Sequence, residues 1–324
     1  MLLWSALVSA CTLPVGAAEA PLKPVSKAWF PRFSPDGRLV ASAHGSWEAD
    51  APGEVHVWDA ATGDERVLIS QPRGVRSVAW SPKGTFLVTG NYGGDINFYE
   101  AATGKQLHSM RPGSQVELVL VTPDEKRVVT LHGTGSVILW DAATKKQIHK
   151  WNQVHSGGIW GAALSADGRL LATAGQDAMV RVFDITALQV RHELPHPAST
   201  NGVAFSHDGK ILATGCGDAL IRLFDLPSGR QARELKGHAS GSVTDLQFSA
   251  DDRLLVSAGM DSTARVWKFD DDQIPELQQT FRGHQGFVFG AALSPDDKSV
   301  VTAGWDGAVT LWSVPSGESV WSSP

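Results

Sequence analysis

Four sets of residues in this chain carry the side-chain types of a hydrolase triad: His155 with Thr173 and Asp177, His196 with Thr214 and Asp218, His238 with Ser257 and Asp261, and His284 with Thr302 and Asp306. In a triad the hydroxyl attacks, the imidazole takes its proton and the carboxylate orients the imidazole. Catalysis needs one such site in a surrounding of its own. Here the Asp follows the Ser or Thr by four residues in every set, and the His precedes both by a nearly constant interval. A pattern that recurs at fixed offsets is a building element. The sets therefore read as structural units and not as active sites, in which each buried polar group has to find a partner. No catalytic residue is assigned.

Other candidates for chemistry are weaker. Residues 45–53 place Trp47, Glu48 and Asp50 near His44, but neither the ligand number nor the spacing is that of a metal site. Asp270, Asp271 and Asp272 lack the alternating spacing and distal Glu of a calcium loop and read as a solvated turn. Two cysteines, Cys11 and Cys216, are too few for a disulfide framework or a zinc knuckle, and Cys216 reads as an inert buried thiol. No metal and no cofactor is expected. A formal charge of −6 with no Lys/Arg block gives none of the electrostatic footprint that nucleic acid requires.

The elements that must position the four sets follow from a longer repetition. Apolar residues at 42% and charged residues at 19% describe a globular core, while 33 Gly, 17 Pro and 12 Trp point to short strands, many turns and recurring bulky anchors. Turns of the Ser-Pro-Asp-Gly type begin at Ser34, Ser81, Thr122, Ser165, Ser206, Ser249 and Ser294. An aromatic residue closes a β-rich run after each: Trp58, Tyr99, Trp140, Phe183, Phe224, Trp267 and Trp312, at separations of 41 to 45 residues. Each unit reads as four short strands joined by turns. One such sheet cannot bury both of its faces, so the units stack, and radial stacking closes them into a ring. The expected fold is all-β, a seven-bladed β-propeller of four-stranded antiparallel sheets. It forms a single domain over residues 21–324, with repeats near 28–71, 72–112, 113–153, 154–194, 195–236, 237–282 and 283–324.

With Gly-His pairs at 237–238 and 283–284, and Trp-Asp pairs at 58–59 and 140–141, residues 28–324 resemble the WD40-repeat propellers. The resemblance implies that the polar sets are that family's structural tetrads, completed by Trp267 and Trp312 in the last two units. Phe183 and Phe224 lack the indole donor, and units two and three carry Gly93 and Thr134 at the Asp position. It also implies a non-catalytic scaffold that binds a protein or peptide through its loop face. The matching positions are Trp29, Arg76, Glu117, Trp160, Asn201, Thr244 and Phe289 in the first strands, and Tyr92, Gln176, Met260 and Trp305 before the tetrad Asp, with Phe287 beside them. Trp29, Met260, Phe287, Phe289 and Trp305 come from units that adjoin once the ring closes, which makes an aromatic patch or, for one or two rings, ordinary packing. The alternative is a propeller enzyme, a hydrolase or oxidoreductase with its site at the central channel, for which Arg76 and Glu117 are the charged groups on that face.

Residues 1–13 are apolar and lead into small residues ending at Ala20, so 1–20 read as a secretory signal peptide cleaved after Ala17, Ala18 or Ala20, although no Lys or Arg precedes Lys23. Export to the periplasm or the exterior is the expectation, as a monomer or a subunit of a complex. The run ending at Cys11 resembles a lipoprotein signal box, but plain cleavage is preferred to a lipid anchor. No other segment reaches the length of a membrane span. Propellers of this family usually complete the last blade with an amino-terminal strand. Pro21 and Pro24 disfavour a strand there, so the segment around Glu318 to Trp321 is expected to complete it.

Overall fold

Strand formation follows the alternation of apolar and polar residues. In Gly53–Asp59, Val55 and Val57 are buried between the half-buried Glu54 and His56. The computed structural model describes residues 27–46, 51–270 and 275–323. The expected signal segment with Cys11, the loop residues Trp47, Glu48 and Asp50, and Asp271 and Asp272 lie outside the described residues.

Seven four-stranded antiparallel sheets follow one another along the chain, each with its strands paired in chain order. They cover residues 27–71, 75–110, 116–151, 159–195, 200–236, 243–282 and 288–322, here blades 1 to 7. Burial falls from axis to rim: the innermost strand of blade 7, Val288–Leu293, is wholly buried, and the outermost strand of blade 2, Gln106–Met110, is almost wholly exposed. Between neighbouring blades the faces interlock, as where Val256, Ala258 and Val266 of blade 6 pack against Val288, Ala291 and Val300 of blade 7.

The repeated turn is held by its own polar residues. Ser34 Oγ donates to Asp36 Oδ1 at 2.6 Å and accepts from the Leu39 N–H, and Gly37 supplies the φ of 72° that closes the turn. Where Glu125, Asp252 or Asp297 stands at the Gly position, the backbone keeps the same left-handed shape, with φ between 56° and 61°. The acid of the Trp-Asp pair fastens the next turn in a comparable way, since Asp59 Oδ1 accepts from the N–H groups of Ala61 and Thr62.

The ring closes without a shared strand. Blade 7 takes its fourth strand from Ser319–Ser322, paired with Val309–Ser313, so it is completed from its own end of the chain. Side chains hold the seam to blade 1 instead. Trp29 stacks on Phe289 at 4.3 Å, and Trp321 Nε1 donates to the Ala60 carbonyl at 2.9 Å. Val40 and Trp58 of blade 1 pack with Ala292, Val301 and Leu311 of blade 7. Arg32 of blade 1 reaches past blade 7 to Asp245 of blade 6 at 2.9 Å, and the blade 7 Ala291 N–H donates to the same carboxylate at 3.2 Å. Gly290 is required at this seam, because a Cβ there would stand 2.6 Å from the Phe30 Cα.

Trp321→Ala therefore removes a hydrogen bond and a packing contact across the seam. It should lower stability by about 2 kcal/mol, less than a fully buried Trp→Ala change costs, seen as a lower urea midpoint at unchanged slope. Removal of residues 317–324 should cost more, and an unchanged melting temperature after that truncation would refute this account of closure.

Candidate functional site

Each blade is organised around the Ser or Thr hydroxyl on its second strand. In blade 6 the His238 Nε2 lies 2.9 Å from Ser257 Oγ, His238 Nδ1 lies 2.9 Å from Asp261 Oδ1, and Trp267 Nε1 donates to Ser257 Oγ at 2.9 Å. Blade 7 repeats this with His284, Thr302, Asp306 and Trp312. Blade 4 joins His155 to Thr173 at 2.8 Å and to Asp177 at 2.7 Å, and Arg181 donates to Asp177 in addition. Blade 5 departs from expectation. His196 Nε2 reaches Thr214 at 2.9 Å, but its Nδ1 meets the Leu194 carbonyl, and Asp218 is taken by Arg222 at 2.6 Å. The side chain of Cys216 stands where blades 4, 6 and 7 have Gly.

Blades 1 to 3 carry networks that the repeat offsets do not reveal. His44 Nε2 lies 2.9 Å from Ser42 Oγ, with Trp58 Nε1 donating to the same oxygen at 3.0 Å. His132 and Trp140 do the same for Thr130, at 2.9 and 2.8 Å. In blade 2, Gln71 Nε2 donates to Thr89 Oγ1 at 2.8 Å, and Asn91 Nδ2 donates to Gln71 Oε1 at 3.1 Å. The position two residues after the Ser or Thr accounts for the division except in blade 5, where Cys216 holds it and the loop His196 still reaches Thr214 but not Asp218. Gly175, Gly259 and Gly304 leave room there for a loop His, whose ring an added Cβ would strike. His44, Asn91 and His132 occupy that position themselves. A polar side chain in place of the small residue was the available signal.

All seven hydroxyl residues are fully buried, so no substrate can reach them. The triad-like sets serve the sheets. Burial pushes the Asp261 carboxyl up, but hydrogen bonds from His238, the Ala239 N–H and Thr263 outweigh it and hold the acid well below the usual range. Burial, then the neighbouring His56, pushes His44 down to about 3. Burial also lowers His132, His155 and His196.

The other cluster lies at the channel mouth, and β-bulges place it. Pairing of the innermost strands slips between Val75 and Ser77, Ile159 and Gly161, Val243 and Asp245, and Val288 and Gly290. The residues left over are Arg76, Trp160, Thr244 and Phe289; Glu117 and Asn201 fall in the equivalent slips. A bulge re-aims the side chain it releases. In blade 1 the slip falls at Phe30 and Pro31, Trp29 stays paired with Ala43, and Phe30 takes a φ of 33°, unusual for a bulky residue.

These residues meet around a cavity of about 310 Å³ on the side of the loops carrying the tetrad acids. Trp29, Arg76, Trp160, Asn201, Thr244 and Phe289 line it from the first strands, and Gln176, Met260, Phe287 and Trp305 from the loops; Phe30, Ser199 and Ser242, not foreseen, complete it. Trp29 and Phe289 are buried at 3% and 8% exposure, whereas Phe287 and Trp305 stand open at 40% and 39%. The expected aromatic patch thus has a packed floor and an open rim. Arg76 Nη1 pairs with Glu117 Oε2 at 2.8 Å, both side chains buried, and the guanidinium lies 5.2 Å from the Trp29 ring and 5.3 Å from the Trp160 ring. Tyr92 and Glu117 stand behind Arg76, outside the lining; burial pushes the Tyr92 phenol up.

Seven sheets around an axis, each fastened by a buried hydroxyl with a His or amide and an aromatic ring, define a β-propeller of the repeat type. The sequence profile described as "WD domain, G-beta repeat" matches residues 145–184, 188–225, 229–268 and 275–313, and that of the anaphase-promoting complex subunit 4 WD40 domain matches 56–121. The chain belongs to the WD40-repeat family. It is 29% identical over 116 residues to WD repeat-containing protein 36 of Homo sapiens, which is 36% of this chain and 13% of that protein. It is 46% identical over 66 residues to Jouberin of Rattus norvegicus and of Mus musculus, 20% of this chain and 6% of each of those proteins. The matches thus span a small part of these relatives' length.

Two expectations follow from the networks. Gly175→Ala sets a methyl against the His155 ring and should cost about 1–3 kcal/mol, as overpacking does, measured by denaturant unfolding. His44 stays neutral in the fold down to about pH 3, while the unfolded chain takes up that proton near the ordinary value of 6.5. More protons on the unfolded chain means that stability falls as pH drops through this window. His44→Gln, which can meet Ser42 as Gln71 meets Thr89, should reduce the slope of stability against pH between 6.5 and 4 by up to about 1.4 kcal/mol per pH unit; an unaltered slope would contradict the assignment.

Proposed function

We propose that this chain is a non-catalytic interaction scaffold that binds a protein or peptide partner through the loop face, at the mouth of the central channel. The observation that supports the reading is the aromatic rim: Phe287 packs edge-on against Trp305 at 5.8 Å, both are partly exposed, and Met260 and Trp160 line the same cavity. Large apolar anchors on a rigid frame, with few charges among them, have the make-up of a binding hot spot. A channel enzyme draws less support, because its two charged candidates, Arg76 and Glu117, neutralise each other.

Phe287→Ala/Trp305→Ala alters the exposed rings and leaves the packed floor in place. Proteins that co-purify with the wild-type chain should be depleted by about tenfold or more with this variant, at a melting temperature within a few degrees of the wild type. The same partners retained in the same amounts would sink the reading.

A further inference from the structure

A cavity walled by tryptophans ordinarily attracts cations to its ring faces. Here the protein supplies its own. The Arg76 guanidinium lies between Trp29 and Trp160, 5.2 and 5.3 Å from their rings, and the Lys27 ammonium sits 3.9 Å above Trp305. The acid that could compensate a ligand cation is also engaged: Glu117 Oε2 pairs with Arg76, and its Oε1 accepts from Gln115 Nε2 at 2.8 Å. A second cation entering the cavity would find the place between Trp29 and Trp160 already filled and Glu117 already paired. An apolar group meets a lining that is mostly carbon.

Arg76 is only 5% exposed, so its guanidinium is part of the cavity wall and is held in place there by Glu117.

We propose that the channel mouth takes a neutral apolar side chain presented on a peptide, and that it excludes cationic side chains because Arg76 already fills the place between the tryptophans. The inference rests on the scaffold reading and adds the chemistry of the partner. It predicts that Arg76→Met inverts the preference, since the guanidinium no longer occupies the place between Trp29 and Trp160 and Glu117 is left without its counter-ion.

The test is calorimetric titration of the full chain with three blocked pentapeptides, acetyl-Gly-Gly-X-Gly-Gly-amide, where X is leucine, arginine or trimethyllysine. In the wild type the leucine peptide should bind about tenfold or more tightly than either cationic peptide, and Arg76→Met should gain about tenfold for the cationic ones. Cationic peptides binding as well as leucine to the wild type would overturn the inference while leaving the loop face as the binding surface. Binding of none of the three up to ~5 mM, a limit near −3 kcal/mol, would also overturn it, and the co-purification experiment then judges the scaffold reading separately. If Arg76→Met does not fold, the wild-type comparison alone decides.

Discussion

A sheet of four short strands with apolar residues on both faces has one way to keep both from water, which is to lie between two other sheets. That demand organises the molecule. Each blade is stable only with neighbours on either side, so the series has to close, and the last interface must be as good as the rest although the chain is not continuous across it. Here closure relies on side chains: the Trp29 and Phe289 stack, the Trp321 bond to blade 1 and the Arg32 bridge to Asp245. The innermost strands also leave N–H groups without a ladder partner, and side chains of the preceding blade meet some of them, as Asp245 does for Ala291 and Gln247 for Leu293.

Inside each blade the same need recurs at a smaller scale. A hydroxyl at zero exposure must be satisfied, and the seven blades reach that end by different routes. A loop His serves blades 4 to 7, a strand His serves blades 1 and 3, and Gln71 with Asn91 serves blade 2. What persists is the hydrogen bond to the hydroxyl and the volume around it. This is why residues typical of a nucleophilic triad are architectural here: the hydroxyl is sealed beneath an indole or a phenyl ring.

Because the networks and interfaces carry the fold, the residues released by the bulges are left to define the channel mouth. The bulges present Arg76, Trp160, Thr244 and Phe289 to the axis from four different sheets, and the rigidity of those sheets keeps the rings apart. Residues far apart in the chain, such as Trp29 and Trp305, thus share one small cavity.

Local alternation and repeating offsets were enough to read off the period, the number and order of the sheets and the turns, because each of these is written within a few residues of the chain and then repeated. The positions at the mouth came instead from the resemblance to WD40 propellers mapped onto those offsets. The completion of blade 7 by its own end was legible too, through the prolines that disfavour the alternative strand. The polar residues His44, Asn91 and His132 two places after the hydroxyl marked blades 1 to 3 as different, but nothing in the offsets showed that Gln71 of blade 1 replaces the loop His of blade 2. Nor did they show that Asp218 pairs with Arg222 rather than His196, or that Arg76 lies between two tryptophans from different blades. Those outcomes depend on which side chain fills a given space once sheets are packed face to face, and that competition for volume and hydrogen bonds exists only after the ring has closed.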